Sequence, residues 1–194
     1  MKTQMNYSVK TVTMALVISL TMASCGNSQQ NSVKENATLE TKVKAPSMDI
    51  HTATFMGDLK AIKQHIAVGS NLNVKDAYGS TPLTIASTFG KTEVAIALME
   101  GGADLNIKNN EGSTPLHTAA FFCRTEIVKA LLEKGADKTL KNSYGSTALE
   151  SVSGPYLNVK PIYEQIATQL GPLGLKLDFD RIEATRPLIA EMLK

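Results

Sequence analysis

The sequence lacks tryptophan altogether and contains few other aromatic residues, with five phenylalanines and five tyrosines among 194 residues. Because large rings are scarce, a core must be built mainly from small and aliphatic side chains, which suits a stack of helices packed through alanine and leucine. The hydrophobic fraction of 43% is typical of a globular protein. The length allows one domain, or one domain with an appendage.

Common catalytic and nucleotide-binding motifs are also missing from the sequence. No HExxH, GxSxG, CxxC or P-loop pattern occurs, and no acid, base and nucleophile are clustered. We therefore expect no enzymatic activity, no metal site and no cofactor. The alternative is a hydrolase-like enzyme of the cell envelope, with a site in the irregular region 150–180.

Residues 1–24 have the composition of a cleaved leader. Lys2 and Lys10 make a positive start, and residues 12–22 form an apolar stretch too short to span a bilayer comfortably. The following Met-Ala-Ser-Cys resembles a bacterial lipobox with a relaxed first position. The resemblance implies a lipoprotein signal peptide over residues 1–24 and acylation of Cys25, which would anchor the chain in a membrane. The alternative is a buried N-terminal helix.

Removal of this leader changes the charge and the cysteine count. The leader carries two lysines and no acidic residue, so 18 basic and 18 acidic residues remain after its removal. The mature chain is then formally neutral and has no electrostatic reason to bind nucleic acid. With Cys25 acylated, Cys123 is the one free thiol, and no disulfide can form within the mature chain. Residues 25–45 are polar and lack periodicity, which predicts a disordered tether of roughly 25 Å.

The rest of the chain is organised by a repeat with a period of about 33 residues. Residues 112–120 read GSTPLHTAA, residues 79–87 read GSTPLTIAS, and residues 145–149 read GSTAL. Gly69, Gly102 and Gly135 have the same spacing. Two independent markers with one period indicate an array of structural repeats.

Each repeat carries the signals of two helices. Thr114 can cap a helix that begins at Pro115, where no N–H is needed. Gly135 can close a second helix in the left-handed conformation. The apolar stripe of that second helix comprises Ile127, Val128, Leu131 and Leu132. One unit cannot shield this stripe from water, so neighbouring units must stack.

Residues 114–120 together with residues 126–137 closely resemble the ankyrin repeat. The resemblance implies an all-α fold, an ankyrin-repeat solenoid of about four helix-turn-helix units with hairpin loops over residues 46–171. The first unit is polar, as expected of a terminal repeat. In the fourth unit, Gly154 and Pro155 cut the first helix short.

The C-terminal part contains two further helical patterns. We assign residues 158–170 as the second helix of the fourth unit, with Ile162, Ile166 and Leu170 on its apolar face. Residues 172–194 are assigned as a C-terminal capping helix, in which Pro187 predicts a kink or a restart. A separate functional tail is the alternative. The apolar face of the cap comprises Ile182, Leu188, Ile189, Met192 and Leu193.

The resemblance also suggests roles for four unusual residues. Ankyrin repeats usually carry a histidine at the position of His51 and His117, where it hydrogen-bonds within the hairpin and helix turn. His65 stands in place of a leucine, and we expect it to be half exposed. Cys123 stands where a glycine often has a positive φ, so Cys123→Gly is expected to relieve about 1 kcal/mol of strain.

In the ankyrin fold, hairpin tips and first helices line a concave face that binds other proteins. Within that face we expect Phe89, Phe121 and Phe122 to form a partly exposed apolar strip. Carried over by position, the face comprises Phe55, Met56, Lys75, Ala77, Tyr78, Ser80, Thr88, Phe89, Lys108, Asn110, Glu111, Ser113, Phe121, Phe122, Lys141, Ser143, Tyr144 and Ser146.

Together these features predict a lipid-anchored, non-enzymatic protein-binding module of the Gram-negative cell envelope. Its partner is another protein, held or protected by the concave face, and no nucleic acid partner is expected. The chain is expected to be a monomer. The residues directly after Cys25 include no aspartate, and by resemblance to lipoprotein sorting signals this implies the outer membrane, facing the periplasm.

The lipobox yields a direct prediction about anchoring. The chain should incorporate radiolabelled palmitate, and Cys25→Ser should abolish the label and leave an unprocessed or soluble precursor. The measurement is autoradiography of the purified protein after metabolic labelling. Absence of label in the unmodified chain would contradict the lipoprotein assignment.

Overall fold

The computed structural model describes residues 45–194, and it confirms an all-α array. The predicted leader and Cys25 lie outside this range. Within it, no helix is long and apolar enough to cross a bilayer. The helices are α1 (Ile50–Met56), α2 (Leu59–Ala67), α3 (Pro82–Phe89), α4 (Thr92–Glu100), α5 (Pro115–Phe121), α6 (Thr125–Glu133), α7 (Ala148–Ser153), α8 (Tyr156–Leu170) and α9 (Phe179–Leu193), with a 3-10 turn at Gly171–Leu173.

Eight of these helices form two stacked layers. In the first layer α1, α3, α5 and α7 pack side by side, and in the second layer α2, α4, α6 and α9 do the same. Each first-layer helix pairs with one second-layer helix, as α1 with α2 and α7 with α9. The core between the layers is aliphatic, and the side chains of Ile62, Leu98 and Leu131 are fully enclosed in it.

The first-layer helices begin as the sequence predicts. Thr81, Thr114 and Thr147 are N-caps, and the hydroxyl of each accepts the N–H of the third residue that follows. Pro82 and Pro115 occupy the first helical position. Each cap satisfies a backbone donor that would otherwise lack a partner, which stabilises each helix start by about 1 kcal/mol.

Hairpin loops precede these helices, and each is closed by one side chain. Asp76, Asn109 and Asn142 stand one repeat apart, and the Oδ1 atom of each accepts two backbone N–H groups from its own loop. A carboxylate or amide of this length is the usual closure of such turns. Every loop is therefore held in one conformation before it meets its neighbour.

Consecutive hairpins are joined to one another through the backbone. Asn110 donates its N–H to the carbonyl of Tyr78 at 3.0 Å, and Ser143 donates to Glu111 at 2.9 Å. Lysine side chains add a second set of bonds, because the ammonium of Lys75 donates to the carbonyl of Lys108 at 2.9 Å. These bonds set the distance between units along the hairpin edge.

The fourth unit differs from the prediction. Residues 158–170 are helical, within α8, but they are not the second helix of this unit. That position belongs to α9, which packs against α6 and α7. The buried residue of α8 is Tyr163, whereas Ile162 on the predicted apolar face is exposed. The reason is that α9 offers three buried aliphatic side chains, Ile182, Ile189 and Leu193, to the core.

The detailed predictions for the second-layer helices have mixed outcomes. Ile127, Val128 and Leu131 are buried as predicted, and Gly135, which follows the C-cap Lys134 of α6, has a φ of +85°. In α9, Leu188 is exposed, and the helix runs through Pro187 without a restart. The apolar face predicted for α9 therefore wrongly includes Leu188.

The hairpin contacts predict a difference between two glycines with the same backbone conformation. Gly112 and Gly145 have φ values of +71° and +76°. A Cβ at Gly112 would lie 2.7 Å from the backbone nitrogen of Ser143, whereas a Cβ at Gly145 would meet nothing within 4 Å. Gly145→Ala should cost about 1 kcal/mol of unfolding free energy, for the positive φ. Gly112→Ala should cost about 2–4 kcal/mol, since the hairpins must also separate.

Urea denaturation of both variants measures this difference. Equal destabilisation by the two substitutions would mean that the contact between hairpins does not limit the stability of the array.

Candidate protein-binding face

Two tyrosines mark the hairpin edge of the predicted face. Tyr78 and Tyr144 lie at the tips of the first and third hairpins, and each is 77% exposed. Glu111 occupies the same position in the hairpin between them and is also exposed. The loop bonds to Asp76 and Asn142 hold the backbone under both rings. The edge therefore presents exposed aromatic side chains on a fixed backbone.

Two of the three lysines predicted on this edge form hydrogen bonds with the backbone of the next repeat. Lys75 and Lys108 each donate an ammonium hydrogen bond, at 2.9 and 2.8 Å, to the backbone carbonyl of the lysine one repeat further on. Lys141 is the last of this series. The pKa of Glu150 is lowered by two hydrogen bonds with Thr147 and, to a smaller extent, by the charge of Lys141. The first two lysines thus strengthen the stack as well as line the edge.

At the N-terminal end, the predicted aromatic strip is open. Phe55 and Phe89 pack edge to face with ring centroids 4.8 Å apart, and both rings are half-buried. Met56 beside them is exposed, and it borders an open depression that also includes Lys91. Such a pairing leaves part of each ring available to a partner.

At the C-terminal end, Phe121 is half-buried, as Phe55 and Phe89 are, whereas Phe122 is buried, which corrects the expected exposure of Phe122. The Phe122 side chain is 7% exposed and packs edge to face on Phe121, with ring centroids 5.2 Å apart. The ring of Phe121 is stacked at 4.5 Å on Tyr163 of α8. Substitution of Phe122 would therefore test packing and not recognition. The binding role of the whole set stays a prediction.

The side chain that stacks on Phe121 belongs to a buried polar network. Tyr163 donates its hydroxyl to the carbonyl of Phe121 at 2.5 Å, and it accepts a bond from Nη1 of Arg186 at 3.0 Å. Nη2 of Arg186 donates to the carbonyls of Ser151 and Gly154, both at 3.3 Å. Arg186 is 2% exposed, and its guanidinium forms no ion pair with a described carboxylate. Burial raises the pKa of Tyr163 to about 12, so its hydroxyl remains a donor at neutral pH.

Sequence reasoning missed Tyr163 and Arg186. The one signal available was that the chain contains only three arginines against 17 lysines. All three arginines donate hydrogen bonds to backbone carbonyls at the C-terminal ends of first-layer helices, where the helix dipole is negative. Arg124 donates to the carbonyl of Thr88 at 2.9 Å, and Arg181 to that of Cys123 at 3.5 Å. Burial, followed by the charge of Arg181, lowers the pKa of Arg124.

Cys123 is a core residue with a strained backbone. Its φ of +52° confirms the predicted left-handed conformation, and it is the one described residue other than glycine with a positive φ. The thiol is fully buried, and its Sγ lies 3.7 Å from the carbonyl of Ile182. Burial raises the pKa of the thiol, which keeps it protonated and poorly nucleophilic. Cys123→Gly would lose this packing, so we no longer expect it to raise stability.

Two histidines have the structural role that the resemblance implies. Nδ1 of His117 lies 2.8 Å from the hydroxyl of Thr114, and Nε2 lies 3.0 Å from the carbonyl of Ser146 in the next hairpin. Burial lowers the pKa of His117. Nε2 of His51 also lies 3.0 Å from a backbone carbonyl, that of Val74, which is six residues before the position that corresponds to Ser146.

The third histidine, His65, is buried and not half exposed. Its Nε2 lies 2.9 Å from the carbonyl of Met48, and its Nδ1 lies 3.0 Å from the hydroxyl of Ser70. It therefore ties the chain before α1 to α2.

The region 150–180 offers no built site for the hydrolase alternative. Among residues 45–194, no three potential metal-ligating side chains cluster. Two open surface depressions lie along α2 and between the end of α1 and the start of α4, away from this region. The described geometry therefore does not favour the enzyme.

Comparison with known proteins agrees with the architecture. Residues 50–142 match the family model described as ankyrin repeats (3 copies). A human protein named DNA-binding protein RFXANK is 42% identical over 55 residues, which are 28% of this chain and 21% of that protein. The chain thus matches about a fifth of the length of that relative. The family match ends at the hairpin before α7, and so it leaves out the fourth unit, which α8 interrupts. Over residues 50–142 this chain is therefore similar to ankyrin repeats, and its helices are stacked in the way that this similarity implies.

Proposed function

We propose that this chain is a lipid-anchored, non-enzymatic protein-binding module of the Gram-negative cell envelope, which holds or protects a partner protein. The observation that carries the proposal is the row of hairpin tips with Tyr78 and Tyr144 exposed on a backbone fixed by turn bonds and inter-hairpin bonds. Ankyrin repeats are protein-interaction modules, and this edge is where the repeats present their most exposed rings.

Rigidity is what makes such a surface suitable for binding. A partner that buries a tyrosine gains a large contact area, and little conformational entropy is lost when the supporting loop is already ordered. The half-buried rings of Phe55 and Phe89 continue the surface toward the ends of α1 and α3. We therefore propose the hairpin tips and this aromatic pair as the contact region.

The charge distribution favours a protein partner over nucleic acid. The relative named DNA-binding aligns with this chain over only 55 residues, and the mature chain would be formally neutral. The ammonium groups of Lys75 and Lys108 already bond to carbonyls of the stack. A phosphate backbone requires free cations in a continuous patch, which these lysines do not supply.

The proposed location follows from the N-terminal sequence. Acylated Cys25 would hold the chain in the outer membrane, and residues 26–45 would let the array reach a partner in the periplasm. We propose that the array acts there as a monomer.

Site-specific crosslinking tests the binding face. A photoreactive amino acid in place of Tyr78 should yield a discrete crosslinked product in the native envelope. The same residue in place of Lys129, an exposed position of α6 in the other layer, is the matched control and should yield none.

Additional Tyr144→Ala should reduce the product severalfold, because it removes a second exposed ring without disturbing the core. Products of equal yield from Tyr78 and Lys129, or none from either, would contradict the assignment of the face.

A further inference from the structure

The first and third hairpin tips have the same local structure. They comprise residues 76–80 and 142–146, and both end in the sequence Tyr-Gly-Ser. In each tip the tyrosine is 77% exposed, the glycine has a positive φ, of +71° and +76°, and one Oδ1 atom closes the turn. The group that one tip binds should therefore also fit the other.

The second tip, residues 109–113, lies on the first and shows what a Tyr-Gly-Ser tip binds. Asn110 donates its backbone N–H to the carbonyl of Tyr78 at 3.0 Å and its Nδ2 to the carbonyl of Ala77 at 3.1 Å. It also fills the space over Gly79, where a Cβ would lie 2.9 Å from the backbone nitrogen of Asn110. The first tip thus holds an asparagine through both its backbone and its side chain.

A lysine completes this contact. The ammonium of Lys75 donates to the carbonyl of Lys108 at 2.9 Å, and Lys108 stands two positions before Asn110. The first tip therefore holds a tight turn by three hydrogen bonds. Two of them go to the asparagine, and one goes to the carbonyl two residues earlier.

The third tip carries the same groups, but within the described chain no residue occupies them. No described donor reaches the carbonyls of Ser143 and Tyr144, and the ammonium of Lys141, last of its series, donates to no described acceptor. A Cβ at Gly145 would meet nothing within 4 Å, so the space that is filled over Gly79 is open here. The row of tips thus ends in an unfilled copy of its own binding surface.

We infer that the third tip, together with Lys141, is a docking site for a tight turn of a partner protein that carries an asparagine. This inference rests on the proposed protein-binding function, and it names the element that the partner presents at one end of the hairpin edge. The partner's turn is held as the turn of Asn110 is held on the first tip.

The chemistry of the site favours this occupant. Backbone carbonyls and an ammonium group recognise a main chain whatever its side chains are, as in the addition of a strand to a sheet edge. The exposed ring of Tyr144 beside them adds apolar contact on a loop that is already ordered. A second copy of this chain is not the expected occupant, because its Asn110 is already bonded to its own Tyr78.

A peptide with a known bound geometry is the probe for this site. A synthetic peptide of residues 107–114, which contains Asn110, is titrated at millimolar concentration into the full chain labelled with nitrogen-15. The amide resonances of Tyr144 and Gly145 should shift, while those of Tyr78 and Gly79, whose surface is already filled, should not. The same peptide with Asn110→Ala should bind about fivefold more weakly, because it lacks the side-chain hydrogen bond. Equal affinity of the two peptides, or no shift at the third tip, would overturn the inference.

Two glycines provide a matched pair of variants. Gly145→Ala places a Cβ where the backbone nitrogen of the docked turn should lie, and it should abolish the shifts. Gly135→Ala is the control, since its φ of +85° imposes similar strain, its Cβ also meets nothing within 4 Å, and it lies after α6. It should leave the titration unchanged. Equal peptide affinity of the two variants would contradict the proposed geometry.

Lys141→Met replaces Gly145→Ala if the latter does not fold, and it should weaken binding about fivefold through the loss of one donor. An unchanged affinity would overturn the role of the lysine. Shifts at the third tip on concentrating the unmodified chain without peptide would assign the site to a second copy and overturn the inference. The titration needs no natural partner, so it and the crosslinking at Tyr78 can fail independently.

Discussion

The hydrogen bonds between consecutive hairpin tips are the interaction on which this array depends. They join the carbonyls of Tyr78 and Glu111 to the N–H groups of the following tips, and they leave no room for a Cβ at Gly112. Their spacing explains why the sequence repeats with a constant period, since any unit of another length would bring its tip out of register. They also explain why the tips are rigid enough to present exposed tyrosines, so that stability and the proposed recognition share one cause.

A second set of bonds lets the stack tolerate an interruption. Arginines from later elements donate to the carbonyl ends of α3, α5 and α7, where an unsatisfied acceptor and a negative helix dipole coincide. At α7 this donor is Arg186 of α9, which reaches back across the insertion. The chain can therefore leave the array after α7, form α8, and return to the correct position in the second layer.

What could be predicted from the sequence was local and repeated. Thr114, Pro115 and Gly135 carry out their helix-capping roles through neighbours in sequence, so their positions and the stacked fold follow from the pattern. The exposure of Phe122 and the place of α8 could not be predicted in this way. Residues 158–170 and 179–193 both show helical periodicity, and periodicity does not say which of two candidate helices fills a core. Packing decides that, through Ile182, Ile189 and the contact of α9 with Cys123.

The central claim is that α9, and not α8, is the second helix of the fourth unit, which leaves α8 as an insertion between α7 and α9. The most direct measurement is the unfolding free energy of two matched variants, Ile189→Ala in α9 and Ile162→Ala in α8. Ile189 is fully buried and Ile162 is 47% exposed, so the account predicts a loss of about 2–5 kcal/mol for the first and under about 1 kcal/mol for the second. The reverse order would contradict it, since α8 would then fill the core and α9 would be the appendage.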